Sequence, residues 1–179
     1  SVNCGACQLH TCMKILIVSG IFPPDIGGPA TYVPVIAAGL TQREHQVRVI
    51  TLSDHPDRGE AGWPYPVVRI PRPLYKPLRM LLTTATIIRY GRAADLLFVN
   101  GLALEAAVAN LVLRKPLVQK VVGDLAWERS RTSGRVAEDL EQFQTKKYSL
   151  RVELLKRLRS WWVRSSSAVI TPSRYLKRI

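Results

Sequence analysis

Short unbroken apolar runs alternate along the chain with stretches of helical spacing, a pattern that predicts a layered α/β domain. Residues 15–18 (ILIV) form the first run, as expected of a strand covered on both faces. Pro23 and Pro24 stop it, because each lacks an N–H and has a fixed φ. Between residues 30 and 40 the apolar positions are Tyr32, Val33, Ile36, Ala37 and Leu40, the spacing of a helix with one face on a sheet. Residues 46–52 (QVRVITL) alternate and are β-branched, a second strand. Residues 54–66 hold three prolines and two glycines and read as a loop.

Residues 66–70 (PVVRI) predict a third strand, after which Pro71, Pro73 and Pro77 punctuate a basic connection with Arg72, Lys76 and Arg79. A helix follows over residues 78–90, weakened by Thr83, Thr84 and Thr86. Residues 95–100 (DLLFVN) predict a buried strand, 102–113 a helix and 116–122 (PLVQKVV) a fifth strand. A polar loop over 125–133 and a polar helix over 135–145 come next. Residues 148–163 carry a stripe of Leu150, Leu154, Leu155, Leu158, Trp161 and Trp162, which predicts a helix whose apolar side covers the sheet. Residues 168–171 (AVIT) predict the last strand, and Pro172 and Ser173 open a further helix.

Six strands alternating with helices imply parallel pairing through right-handed crossovers. The expected fold is a Rossmann-like, doubly wound, mainly parallel sheet. Its ligands belong in the crevice outside the carboxyl ends of the strands, where residues 20–28, 53–66, 100–101 and 123–131 form the loops. The division expected is a non-globular tail over residues 1–12, one domain over 13–171, and the start of a linker helix over 172–179.

The first of these loops carries chemistry. Gly27 and Gly28 bring backbone N–H groups close to whatever sits above the strand end, and Pro29 suits a first helical turn. Free amides at a helix start favour a phosphate or carboxylate. A G-x-G-x-x-G fingerprint and a G-x-x-x-x-G-K-[ST] loop are both missing, which argues against a dinucleotide dehydrogenase and a P-loop NTPase. Two adjacent glycines alone would equally suit a tight turn with no ligand.

Charge adds a partner. The 179 residues carry a formal net charge of +13, which calls for a polyanion, an anionic membrane or a missing acidic part of the chain. Lys146, Lys147, Arg151, Lys156, Arg157, Arg159 and Arg164 concentrate it near the end. Their helix reads as an interfacial surface for anionic lipid or as a docked helix with solvated charges. No apolar run reaches the ~20 residues that span a bilayer, and no signal peptide is visible, so a cytoplasmic protein with peripheral contact at the inner face of the membrane is expected. Cys4, Cys7 and Cys12 all precede Met13, so disulfides do not hold the domain. With His10 they spell C-x2-C-x2-H-x-C, but the ligand pairs are too close together for a usual zinc site, and none is expected. His45 and His55 have no partner pattern and read as surface residues.

The run from Lys14 to Val33 (KILIVSGIFPPDIGGPATYV), followed by LTQREHQVRVIT, ADLLFVNG, RKPLVQKVVGDLAWER and AVITPSRYLK, resembles the amino-terminal domain of a retaining GT-B glycosyltransferase. More narrowly it is similar to the "group 1" (family 4) enzymes of the glycogen synthase and mannosyltransferase type. Five motifs stand in the family's order from Met13 to Ile179. The resemblance implies two Rossmann-like domains, the amino-terminal one receiving the acceptor. The other binds most of a nucleoside diphosphate-sugar and carries an E-x7-E-type motif. On that reading this chain is a fragment without its carboxyl-terminal partner domain and is inactive alone. The donor is a substrate; no cofactor or metal is implied.

Carried onto this sequence, Gly27 and Gly28 match the loop that faces the donor diphosphate. Many relatives have a histidine after the fifth strand, near the transferred sugar; Gly123 and Asp124 stand there instead. Asp124 is the candidate catalytic residue by position, and reads equally as an acceptor of hydrogen bonds from sugar hydroxyls or as a cap on the following turn. Trp127, Glu128 and Arg131 share its loop and are candidates for acceptor binding, with an anchoring role for Trp127 slightly favoured. Asn100 ends the fourth strand at the crevice and is a further candidate for the acceptor, a glycan or lipid-linked sugar, or a turn residue. The competing class is a non-catalytic basic module that binds anionic membrane or nucleic acid.

Overall fold

The apolar run that opens the domain becomes β1 (Lys14–Ser19), five of whose six residues are buried. The computed structural model describes residues 12–55, 62–121 and 150–171. Within them β1 is followed by α1 (Gly28–Gln42), β2 (Gln46–Ser53), β3 (Val67–Pro71), α2 (Lys76–Gly91), β4 (Leu96–Asn100), α3 (Ala103–Leu113), β5 (Leu117–Lys120), α4 (Leu150–Arg164) and β6 (Ala168–Ile170). The six strands form one sheet in the order β3-β2-β1-β4-β5-β6, and every pairing is parallel. The expected Rossmann-like architecture is therefore present. The chain runs outward from β1 to β3, returns to β4 on the other side of β1, and so creates a switch point between β1 and β4.

Side-chain alternation divides the core into two layers. Ile15, Ile17, Val47, Val49, Val67 and Phe98 point to the face covered by α1 through Val33 and Ala37, where Phe22 and Tyr65 are also buried. Leu16, Val18, Ile50, Leu52, Leu97, Val99 and Leu117 point to the other face, which receives Ile87 of α2, four alanines of α3 and Trp162 of α4. A sheet covered on both sides explains why these strands read as continuous apolar runs.

Several boundaries move by a few residues for identifiable reasons. Helix α1 starts at Gly28 rather than residue 30, with Pro29 in its first turn. Helix α2 starts at Lys76 rather than 78, again with a proline in the first turn. Asp95 stays outside β4, because its backbone N–H and a carboxylate oxygen both bond the backbone of Lys14. Strand β5 ends at Lys120, although the Val121 N–H still donates to the Ile170 carbonyl at 2.9 Å. The helix expected over 135–145 and the loop over 125–133 lie outside the described residues.

Helix α4 docks as the stripe predicts at its carboxyl-terminal end, with Trp162 buried and Leu158 and Trp161 packed against the core. Leu154 departs from the expected stripe and is exposed. His45 also departs from expectation: it is half-buried, and its Nδ1 accepts the Met13 N–H at 3.3 Å. His55 is exposed. No described helix is long and apolar enough to cross a membrane.

Candidate functional site

The crevice is built where β1 hands over to α1. Ser19 ends the strand, the loop passes through Phe22, Pro23 and Pro24, and Gly27 caps the helix. The first intrahelical bond runs from the Thr31 N–H to the Gly27 carbonyl at 3.1 Å. The amides of Gly27, Gly28 and Ala30 therefore precede the helical ladder, and Pro29 has none to offer. Helix α1 has no side-chain cap and no acidic residue in its first turn. The positive end of a 15-residue helix thus meets the crevice without a neutralising carboxylate of its own.

The two glycines serve different purposes. Gly27 has φ +151, and a Cβ there would lie 2.7 Å from Cδ1 of Ile21. A Cβ on Gly28 would meet nothing within 4 Å. Gly27 is required by the backbone, whereas Gly28 keeps open the space in front of the helix.

Strand register places a polar row beneath that helix end. Ser19 pairs with Thr51 on one side and Asn100 on the other, and Val99 pairs with Gln119, which sets Lys120 beside Asn100. Alternation from Phe98 and Val118 puts Asn100 and Lys120 on the α1 face. The Ser19 hydroxyl donates to the Ile21 carbonyl at 2.7 Å, and the Thr51 hydroxyl to the Leu52 carbonyl at 3.2 Å. Asn100 differs: it is 4% exposed, and its Nδ2 has no hydrogen-bond partner among the described residues. A buried amide donor without a partner is costly unless something else completes it. Lys120 Nζ lies 3.1 Å from the centre of the Tyr32 ring, in the first turns of α1. Burial pushes its pKa below the usual lysine value.

The loop over this row is held from the β2–β3 side. Phe22 is fully buried and meets Trp63 edge-on, with ring centres 5.0 Å apart; Trp63 stacks on Tyr65. An Arg69 guanidinium N–H donates to the Pro23 carbonyl at 2.9 Å. The Arg72 guanidinium pairs with Asp25 of the loop and with Asp54 after β2. Asp25 and Asp54 are thereby both occupied by one cation. On the β4 side, Gly101 has φ +125 and packs so closely that a Cβ would lie 2.7 Å from the Gly20 nitrogen.

Of the residues singled out from sequence, Gly27, Gly28 and Asn100 come together at this edge. Asp124, Trp127, Glu128 and Arg131 lie outside the described residues. Sequence reasoning missed Lys120, Arg69 and Arg72. Alternation puts Lys120 on the same side as Val118, but its place beside Asn100 follows only from strand register. Arg69 and Arg72 give no local signal, because their partners are 46 and 47 residues away. Among the described residues no three His, Cys, Asp or Glu side chains converge on a metal-sized site.

A polar row near an uncapped helix end, at the carboxyl edge of a parallel sheet, has the chemistry that suits an anionic ligand. Residues 27–179 match the family model described as a glycosyl transferase 4-like domain. The chain belongs to that family. Among curated proteins none matches the sequence. Solved structures similar to this glycosyltransferase domain include a protein described as a UDP-N-acetylglucosamine 2-epimerase of Listeria monocytogenes (TM-score 0.61, 13% identity). The alignment covers 94% of this chain and 41% of that one. MurG of Acinetobacter baumannii is similar at TM-score 0.53 and 15% identity, over 90% of this chain and 41% of its own. Anabaena Alr3699/HepE, solved with UDP-glucose, aligns at TM-score 0.50 and 15% identity, over 89% of this chain and 43% of its own. The glycosyltransferase domain thus spans less than half the length of each of these structures, and the likeness establishes its fold.

Proposed function

We propose that this chain is the acceptor-side domain of a retaining GT-B glycosyltransferase, which moves a sugar from a nucleoside diphosphate to an acceptor hydroxyl. The observation that carries the reading is the uncapped start of α1 at the same sheet edge as the buried Asn100 amide and the Lys120 ammonium, which touches Tyr32 of that helix. Charge that develops on a departing diphosphate is met there by preorganised donors, the arrangement that most lowers such a barrier. Family membership and a neighbour solved with UDP-glucose support a nucleotide-sugar as the donor.

In this proposal the amides of Gly27, Gly28 and Ala30 hold diphosphate oxygens, and Lys120 adds the cation. Asn100 orients the acceptor or the sugar. Roles for Asp124, Trp127, Glu128 and Arg131, which follow β5 in the sequence, rest on the family resemblance alone. Transfer requires a second domain to supply the other wall, so this chain alone binds anions without turning over. Retention of configuration and a glycan or lipid-linked acceptor likewise follow from the resemblance.

An amide chemical-shift titration with inorganic pyrophosphate and with UDP-glucose tests the reading. Shifts grouped at Gly27, Gly28, Ala30, Asn100 and Lys120 are expected. Shifts confined to the amino edge of the sheet, or none at all, would overturn it.

A further inference from the structure

Helix α2 packs on the sheet through Ile87 and Ile88 yet turns three leucines outward. Its buried positions are Thr83, Ile87 and Gly91, one every four residues. The opposite side presents Leu78, Leu81, Leu82 and Ala85, all exposed, and Tyr75 just before the helix is 77% exposed. Leu81 alone is 68% exposed. Neighbouring α3 repeats the arrangement. It buries Ala103, Ala106, Ala107 and Ala109 and exposes Val108, Leu111 and Val112. A surface helix ordinarily does the reverse, with its bulk inside and its polar residues out. Contiguous exposed apolar area of this kind marks an interaction surface.

The charge around it selects the partner. From residue 61 to residue 94 the sequence has no Asp or Glu. Lys76 stands at the start of α2 and Arg92 just past its end, both exposed, and Arg89 shares the outward side with the leucines. On α2 the apolar stripe is flanked by cations, with Glu105 of α3 the one acidic residue of the two helices. Such a stripe is the signature of a helix that lies in the interface of an anionic bilayer.

We propose that the outward side of α2, extended by α3, docks the domain on an anionic lipid surface. Sequence charge points both to the basic segment that contains α4 and to the stretch from Arg72 to Arg79 that leads into α2. The described apolar side chains at the end of α4, however, are spent on the core. The surface is linked to the crevice: Arg72, four residues before Lys76, pairs with Asp25 of the loop that leads to Gly27. Docking through Tyr75 and Leu78 therefore brings the carboxyl edge of the sheet to the headgroup region. The inference stands on the surface itself and goes beyond the sugar-transfer reading, since lipid binding needs neither donor nor turnover.

Vesicle flotation of the chain tests it, with phosphatidylglycerol-containing and pure phosphatidylcholine vesicles. Flotation with the anionic vesicles only, weakened by added salt, is expected. The variant Leu78→Ser/Leu81→Ser should partition about tenfold more weakly, through loss of two buried side chains. Lys76→Gln/Arg92→Gln should lose the preference for anionic vesicles. Val35→Ser removes an equally exposed apolar residue from α1, on the other face of the sheet, and should float like the parent. Thermal melts of all variants should match, because every altered side chain is exposed. Equal recovery with both vesicle types, or undiminished flotation of Leu78→Ser/Leu81→Ser, would overturn the proposal. So would a self-associated chain that the leucine variant dissociates without any vesicle binding, which makes the patch a contact between copies. Pyrophosphate titration of the same samples separates this result from the fate of the sugar-transfer reading.

Discussion

The Lys120 ammonium sits 3.1 Å from the centre of the Tyr32 ring, so the end of β5 and the first turns of α1 share one cation–π contact. Two elements far apart in sequence are thereby joined at the carboxyl edge of the sheet. Lys120→Met is expected to weaken pyrophosphate binding about ten- to a hundredfold, the worth of a charged hydrogen bond. The same substitution should not lower stability, because burial already disfavours the ammonium. Its depressed pKa means that the unfolded chain holds more protons between the folded value and 10.5, so the parent gains stability as pH rises through that window. The variant lacks that gain. Titration calorimetry and pH-dependent melts measure both.

Gly27 and Gly28 should separate cleanly by alanine substitution. Gly27→Ala forces a Cβ into Ile21 at φ +151 and is expected to lose about 1–3 kcal/mol of stability. Gly28→Ala meets nothing in the folded chain and should melt like the parent or slightly higher. It should nonetheless weaken pyrophosphate binding, because the methyl group occupies the open space in front of the helix. Denaturant melts paired with binding isotherms decide the matter; equal affinity for Gly28→Ala and the parent would remove the ligand from that position.

Arg72 carries the loop's electrostatic support. Replacing it with Met leaves Asp25, only 18% exposed, without its cation and leaves Asp54 unpaired. A loss of about 1–3 kcal/mol is expected from the uncompensated carboxylate. Faster amide exchange should appear around the Asp25–Phe22 turn. Asp25→Asn should do less, since it removes the charge together with its need for a partner.

Tyr65 makes the fold sensitive to alkali. Burial pushes its pKa from 10.0 up to about 12, so the folded chain keeps a proton that the unfolded chain has released. Stability is therefore fully present below pH 10 and falls as pH rises through the folded value, by about 1.4 kcal/mol per unit within the window. Tyr65→Phe should flatten that part of the profile. Alkaline melts of the two proteins side by side supply the test.

The sheet was legible because its signals are local. Runs such as residues 15–18 and 96–99 are apolar throughout, and a strand buried on both faces can take no other pattern. The start of α1 was legible for a similar reason, since Gly27, Gly28 and Pro29 together specify a helix start with free amides. Asn100 was legible as the last residue of a strand at the carboxyl edge of the sheet. Lys120 was not, because its meaning depends on lying beside Asn100 and under Tyr32, and both follow from strand register. Arg69 and Arg72 looked like ordinary members of a basic connection until the fold brought Pro23 and Asp25 to them.

Helix α2 shows the limit most clearly. Its sequence offers leucines for the inside and threonines for the outside, yet Thr83 is buried and Leu81 is exposed. Gly91 packs against Leu113 so closely that a Cβ would come within 2.5 Å, a fit between α2 and α3 that no single-helix pattern encodes. The sequence by itself determined the described elements, their alternation and the glycine-led start of α1, all properties of neighbours along the chain. Only the tertiary structure decided which face of α2 meets the sheet, which cation stands beside Asn100, and which arginine holds the loop. Those are contacts between distant segments, fixed when register and close packing choose among faces that local pattern leaves equivalent.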